Sequence, residues 1–191
     1  HKAETALPYY YRVYLADYDV VAEVAPTERA AIMRFSFPQT DSAQVVVDAF
    51  DKGSSIRIIP SENKIVGYTT KNSGGVPANF KNYFVLVFDH PFTMTHVVRD
   101  GALDATVREV TCDHAGAIVT FQTKKRGEQV HVRVASSFIS LEQAERNLKE
   151  LGQDGFAQVK EKGQQRWNEV LSRIEIRDKD VDHLRTFYSC L

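Results

Sequence analysis

One feature limits what this chain can fold into more than any other: a side-chain period of two from about residue 9 to residue 139, followed by a helical period. In "AAIMRFSF" (30–37), Ile32, Arg34 and Ser36 alternate with Met33, Phe35 and Phe37, and "HVRVASSF" (131–138) does the same. Strict alternation places one set of side chains on each face of a strand. "SIRIIPSENKIVGYTT" (55–70) reads as a hairpin with Pro60-Ser61-Glu62-Asn63 in its loop. The turn signals "DHAG" (113–116) and "KKRGE" (124–128) separate "ATVREVTC", "AIVTFQTK" and "QVHVRVAS", so these three are expected to form an antiparallel meander. "QVVVDAF" (44–50) and "NYFVLVFDH" (82–90) have longer apolar runs and are expected to be strands covered on both faces. Nine or ten strands without intervening helices predict two packed antiparallel sheets over residues 1–139. The Gly/Asn-rich "TTKNSGGVPANFK" (69–81) is the longest expected loop.

After Ile139 the pattern switches. Leu141, Ala144, Leu148 and Leu151 recur at helical spacing, Ser140 and Gln143 form a capping-box pattern, and Gly152 is a natural stop. A second helix is expected to carry Phe156, Val159, Trp167, Val170, Leu171 and Ile174 near one stripe, although Gly163 in its interior costs about 1 kcal/mol of helix propensity. Asp180 or Asp182 is placed to cap a third, with Val181, Leu184, Phe187, Tyr188 and Leu191 on it. That apolar stripe runs to the end of the chain, and with the opening "HKAETALPYYY", which has no initiator Met, it suggests a piece of a longer protein. The expected division is a sandwich over 1–139 and a helical linker over 140–191.

Composition narrows the function by exclusion. Lys and Arg number 24 against 25 Asp and Glu, a net charge of −1, so no basic excess points to nucleic acid or an anionic membrane. No apolar run approaches the roughly 18 residues that a membrane helix needs. Two cysteines, Cys112 and Cys190, are too few for a disulfide framework.

No self-contained active site emerges. The serines at the strand-to-helix turn (Ser136, Ser137, Ser140) lack the small neighbours of a nucleophile elbow, and Ser140 is explained by capping. His1, His90, His96, His114, His131 and His183 make no metal-ligand spacing. The acid pairs Asp17/Asp19 and Asp48/Asp51 read as turn residues. Tyr9-Tyr10-Tyr11 splits between core and strand surface, or alternatively offers a stacking platform for sugar rings in a non-catalytic carbohydrate-binding module. A structural spacer domain is the third reading.

Five segments in order, "HKAETALPYYYRVYL", "VVAEVAPTERAAIMRFSFP", "FKNYFVLVFDHPF", "VRVASSFISLEQAERNLKEL" and "RWNEVLSRIEI…FYSCL", resemble glycoside hydrolase family 92, with Tyr9 standing where the family usually has Gly. The resemblance spans His1 to Leu191. It implies a galactose-mutarotase-like β-supersandwich joined by helices to an (α/α)6 catalytic barrel, in an exo-acting, inverting, calcium-dependent α-mannosidase of α-1,2 type. In such an enzyme one carboxylic acid protonates the leaving oxygen while a carboxylate activates water on the opposite face. The family keeps acid, base and calcium ligands in the barrel, so the resemblance implies no catalytic residue and no metal ligand in this chain, which alone is expected to be inactive. His1 and Glu4 match the family's H-x-x-E element and are the candidate substrate-binding residues, as rim contacts. The implied partners are the enzyme's own C-terminal domain and mannose-containing glycans, with no nucleic acid and no membrane-spanning segment. The implied location is bacterial: periplasmic, secreted or at the cell surface.

Overall fold

The computed structural model describes residues 3–190, which form two antiparallel sheets and three C-terminal helices. The strands are β1 (Glu4–Leu7), β2 (Tyr10–Leu15), β3 (Val20–Pro26), β4 (Ala30–Phe37), β5 (Thr40–Asp48), β6 (Ser54–Ile59), β7 (Lys64–Thr69), β8 (Asn82–Phe88), β9 (Met94–Arg99), β10 (Ala102–Asp104), β11 (Glu109–Cys112), β12 (Ala115–Thr123) and β13 (Glu128–Ser137). The helices are α1 (Leu141–Leu148), α2 (Phe156–Leu171) and α3 (Val181–Ser189). The larger sheet runs β1-β2-β3-β4-β13-β8-β7-β6-β11, and the smaller runs β10-β9-β12-β5. The fold is mainly β, a two-sheet sandwich followed by helices, as the periodicity predicts.

Two cores lie on opposite faces of the large sheet. Between the sheets, Ile56, Ile65, Val97, Val119, Phe121, Val130 and Val132 are buried, and Met33 and Phe35 pack at the margin. On the other face, Ile32, Val66, Val85 and Ala135 pack against Ala144, Leu151, Phe156 and Val159 of the helices. β8 therefore contributes Leu86 and Phe88 to one core and Val85 to the other, which is what its unbroken apolar run anticipates. The helices are clamped as well as packed. The Asn147 side chain donates to Ser136 O (2.8 Å), Arg133 donates to Gly152 O (3.0 Å), and Lys64 pairs with Glu145 (2.6 Å).

Local expectations hold in detail at several points. The β6–β7 hairpin turns through Pro60–Glu62 with Asn63 at φ 49°, a left-handed position that asparagine tolerates. Ser140 Oγ accepts from Gln143 N at 3.1 Å, and Asp180 Oδ1 accepts from Asp182 N at 2.9 Å, so both helices are capped. The Gln143 side chain also reaches forward along the helix, its amide nitrogen donating to Asn147 Oδ1 (2.9 Å). Gly163 does not interrupt α2. A Cβ there would lie 3.0 Å from Tyr9 Cβ, so the missing side chain lets the helix sit close against the β1–β2 turn.

Three expectations fail: the described residues form thirteen strands rather than nine or ten, and the pairing of three strands and the covering of one differ. The three strands of the expected meander do not pair with one another: β11 pairs with β6, β12 with β5 and β9, and β13 with β4 and β8. The short turns between them step from one sheet to the other. β5 is not covered on both faces either; it is the edge of the small sheet, with Val46 63% exposed.

Candidate functional site

The residues singled out above are dispersed across the fold. Tyr10 is buried against Phe156, and its hydroxyl donates to Glu23 Oε1 at 2.7 Å. Tyr9 packs at the margin of the same core, while Tyr11 points to the opposite face of β2 and donates to Glu4 Oε1 at 2.6 Å. The triplet is therefore split between two faces of one strand and presents no common platform. Glu4 lies on β1 opposite Val13, on the sheet face turned away from the helices. His1 lies outside the described residues.

The histidines are likewise scattered. His90 and His131 flank Asp89, with Nδ1 to carboxylate distances of 2.6 and 2.8 Å, and His114 reaches Asp48 at 2.7 Å. Asp48 also accepts from Phe50 N (2.8 Å), the turn role its spacing suggests. His183 sits beside Asp178 at 3.0 Å, and His96 lies on the outer face of β9, paired across to Ile118. Among the described residues, no three His, Cys, Asp or Glu side chains come together to hold a metal ion.

The most elaborate polar cluster is Tyr10–Glu23–Arg34. Arg34 grips Glu23 with two bonds (2.7 and 2.8 Å) and lies 4.1 Å over the Phe156 ring. Burial works to raise the Glu23 pKa, but the bonds from Arg34 and Tyr10 overcome it and hold the carboxyl below its ordinary value. Burial, with Glu23 beside it, pushes the Tyr10 phenol up to about 12. Asp89 and Glu150 are also held low: burial raises each, and bonds from His131 and His90, or from Arg29 and Thr27, more than offset it. A general acid for glycoside cleavage needs the opposite shift, toward a retained proton. Glu23 is thus a structural anchor, tying β2, β3 and β4 to the start of α2.

What does stand open is the surface where α2 leaves the sandwich. Phe156 and Val159 are buried, but Trp167, Val170 and Ile174, beyond the last supported turn, are 40–49% exposed. A groove of about 590 Å³ runs beside this part of α2, floored by Pro8, Pro26 and Val159 and rimmed by Trp167. Glu150, at one end, is pinned by Arg29 and Thr27. The floor is apolar, and the rim carboxylates Glu150 and Asp154 are held in ion pairs with Arg29 and Lys162. The periodicity of α2 disclosed the stripe but not that half of it lies off the sheet.

Comparison with known proteins covers the whole chain. Residues 1–137 match the N-terminal domain of glycosyl hydrolase family 92, and residues 143–191 match the catalytic domain of the same family. No curated protein matches. Among solved structures, an inverting mannosidase of family GH92 from Bacteroides thetaiotaomicron VPI-5482 is 37% identical with a TM-score of 0.93, over 100% of this chain and 26% of that one. A family GH92 α-mannosidase from Bacteroides thetaiotaomicron, in complex with mannoimidazole, is 30% identical with a TM-score of 0.84, over 93% and 24%. A gh92 family glycosyl hydrolase, ccman5, shares the fold at 24% identity and a TM-score of 0.87, over 98% and 28%. The chain spans about a quarter of the length of these structures.

Proposed function

The chain belongs to glycosyl hydrolase family 92, and on that premise we propose that it is the N-terminal part of an exo-acting, inverting α-mannosidase of α-1,2 type that removes terminal mannose from glycans. The observation that carries this reading is the overlap of the whole chain with an inverting mannosidase at 37% identity. In this proposal residues 1–139 form the sandwich and residues 140–191 lead into an (α/α)6 barrel.

This chain's residues hold and orient. The Tyr10–Glu23–Arg34 anchor and the Glu145–Lys64 pair fix α1 and the start of α2 on the sheet. The projecting half of α2, with Trp167 and Val170, then receives the enzyme's own second domain at a set angle. Carboxyls outside residues 3–190 perform the acid and base steps across the sugar. In this proposal calcium belongs to the barrel, where it would supply Lewis-acid contacts to sugar hydroxyls. Location in the periplasm or outside a bacterial cell belongs to the same proposal. No described helix is long and apolar enough to cross a membrane.

The test is hydrolysis of α-1,2-, α-1,3- and α-1,6-mannobiose, with calcium and with a chelator, by this chain and by the longer enzyme that contains it. The expected result is release of mannose with inverted anomeric configuration by the longer enzyme only, fastest on the α-1,2 linkage and lost on chelation. Activity in the 191-residue chain, or a longer enzyme inert toward all three, overturns the reading.

A further inference from the structure

Between α1 and the large sheet lies a cleft of about 420 Å³, a size common among small-molecule sites. Its floor is apolar, made by Val85 and Val87 of β8 and Leu148 of α1. Around that floor stand three cations, Lys64, Arg133 and Lys149, and one carboxylate, Glu145. The whole chain carries a net charge of −1, so this excess is local. Strand register sets the positions. Lys64 of β7 and Arg133 of β13 both stand opposite Val87, so they flank it in one row, about 10 Å apart at the usual strand spacing. Lys149, one residue past α1, lines the cleft from the helix side.

The three cations are not equally neutralised. The Lys64 side chain is 18% exposed and pairs with Glu145 (2.6 Å) and Glu62 (3.4 Å). Arg133 is half-buried, and its bonds go to neutral groups, Gly152 O (3.0 Å) and Asp154 O (2.5 Å). Lys149 is exposed. The acidic side chains nearest to it along the turn, Glu150 and Asp154, are engaged by Arg29 and Lys162. Among the described residues, no carboxylate pairs with Arg133 or Lys149. A half-buried guanidinium without a counter-charge is costly, and a bound anion offsets that cost.

We propose that this cleft binds a phosphoryl group, as free phosphate or as the monoester of a small molecule whose body lies on Val85, Val87 and Leu148. A guanidinium has five N–H donors, and the two carbonyls take two of those on Arg133, which leaves three for a ligand. A tetrahedral phosphoryl group offers oxygens in several directions, so it can meet Arg133 and the Lys149 ammonium at once. A carboxylate has two oxygens in one plane and can meet only one of them well. Because Arg133 also holds Gly152 and Asp154, an anion bound there tightens the turn between α1 and α2.

The test reads binding, and no arm of it reads mannosidase activity. Inorganic phosphate is titrated into this chain and into the longer enzyme at constant ionic strength, followed by calorimetry and, for this chain, by amide NMR. Saturation with a Kd of about 1 mM is expected, with shifts concentrated at Lys149, Gly152 and the Arg133 side chain. Lys149→Ala removes an exposed side chain and leaves the fold intact, and it should weaken binding by about fivefold or more. Phenyl phosphate separates the two sources: affinity about threefold or more above that of phosphate assigns the cleft to a monoester, and equal affinity assigns it to the free ion. Four results overturn the proposal: no saturation by phosphate, unchanged affinity in Lys149→Ala, acetate binding as tightly as phosphate, or binding by this chain and not by the longer enzyme.

Discussion

The two halves of α2 make an instructive pair. From Phe156 to Lys160 the helix is locked down: Phe156 meets Tyr10 edge-on at 6.3 Å, Arg34 stacks on its other side, Lys160 lies 3.5 Å over the Tyr10 ring, and Val159 is 3% exposed. From Gln164 to Leu171 the same helix has no sheet beneath it, and Trp167 stands 42% exposed. The helical stripe is continuous through both halves. The difference lies in what the stripe faces: the first half completes a core of this chain, and the second leaves its apolar side chains exposed. A hydrophobic stripe therefore does not by itself say which of its residues a core of this chain buries.

The contrast predicts a ranking of stability effects in this chain. The largest is expected at Phe156→Ala, which empties an aromatic site from the helix–sheet core and should cost about 3–5 kcal/mol in a denaturant titration. Gly67→Ala comes next, at about 3 kcal/mol, because the new Cβ would lie 2.1 Å from Ser55 O and 2.7 Å from the Phe84 ring, between packed strands. Ser140→Ala removes the α1 cap and should cost about 1 kcal/mol. Trp167→Ala should stay within about 0.5 kcal/mol here, and weaken the longer enzyme if the groove seats the second domain as proposed. A loss of several kcal/mol from Trp167→Ala in this chain alone would erase the distinction between the two halves.

The anchor under the locked half also gives a pH signature. Glu23 is held below its ordinary value in the folded state, so its contribution is fully present above the unfolded-state value. It fades as the pH falls through the lower, folded-state value. Thermal melts between pH 6 and about 3 should show the midpoint falling on the acid side, and less steeply in Glu23→Gln. Parallel curves for the two proteins would remove Glu23 from the anchor.

Much of the fold was legible because it rests on local chemistry. Pro60 and Asn63 specify the β6–β7 turn, Ser140 and Asp180 specify helix starts, and the alternation in β4 specifies two faces. The dispersal of the candidate site residues was only partly legible. Alternation along "YYYRV" places Tyr10 and Tyr11 on opposite faces, but not that one would meet Glu23 under a helix and the other Glu4 in the open. The Glu23–Arg34 bond joins neighbouring strands at a register that alternation alone does not fix.

Taken by itself, the sequence determined the element types, the caps, the switch from sheet to helix at Ser140 and, through five ordered segments, the family. Tertiary structure alone decided which sheet each strand joins, so that β11, β12 and β13 part company across short turns and β5 ends as an open edge. The physical reason is that periodicity and capping are set by neighbours along the chain. Sheet membership is settled by which apolar faces across the whole fold find one another, and turns as short as these permit either outcome.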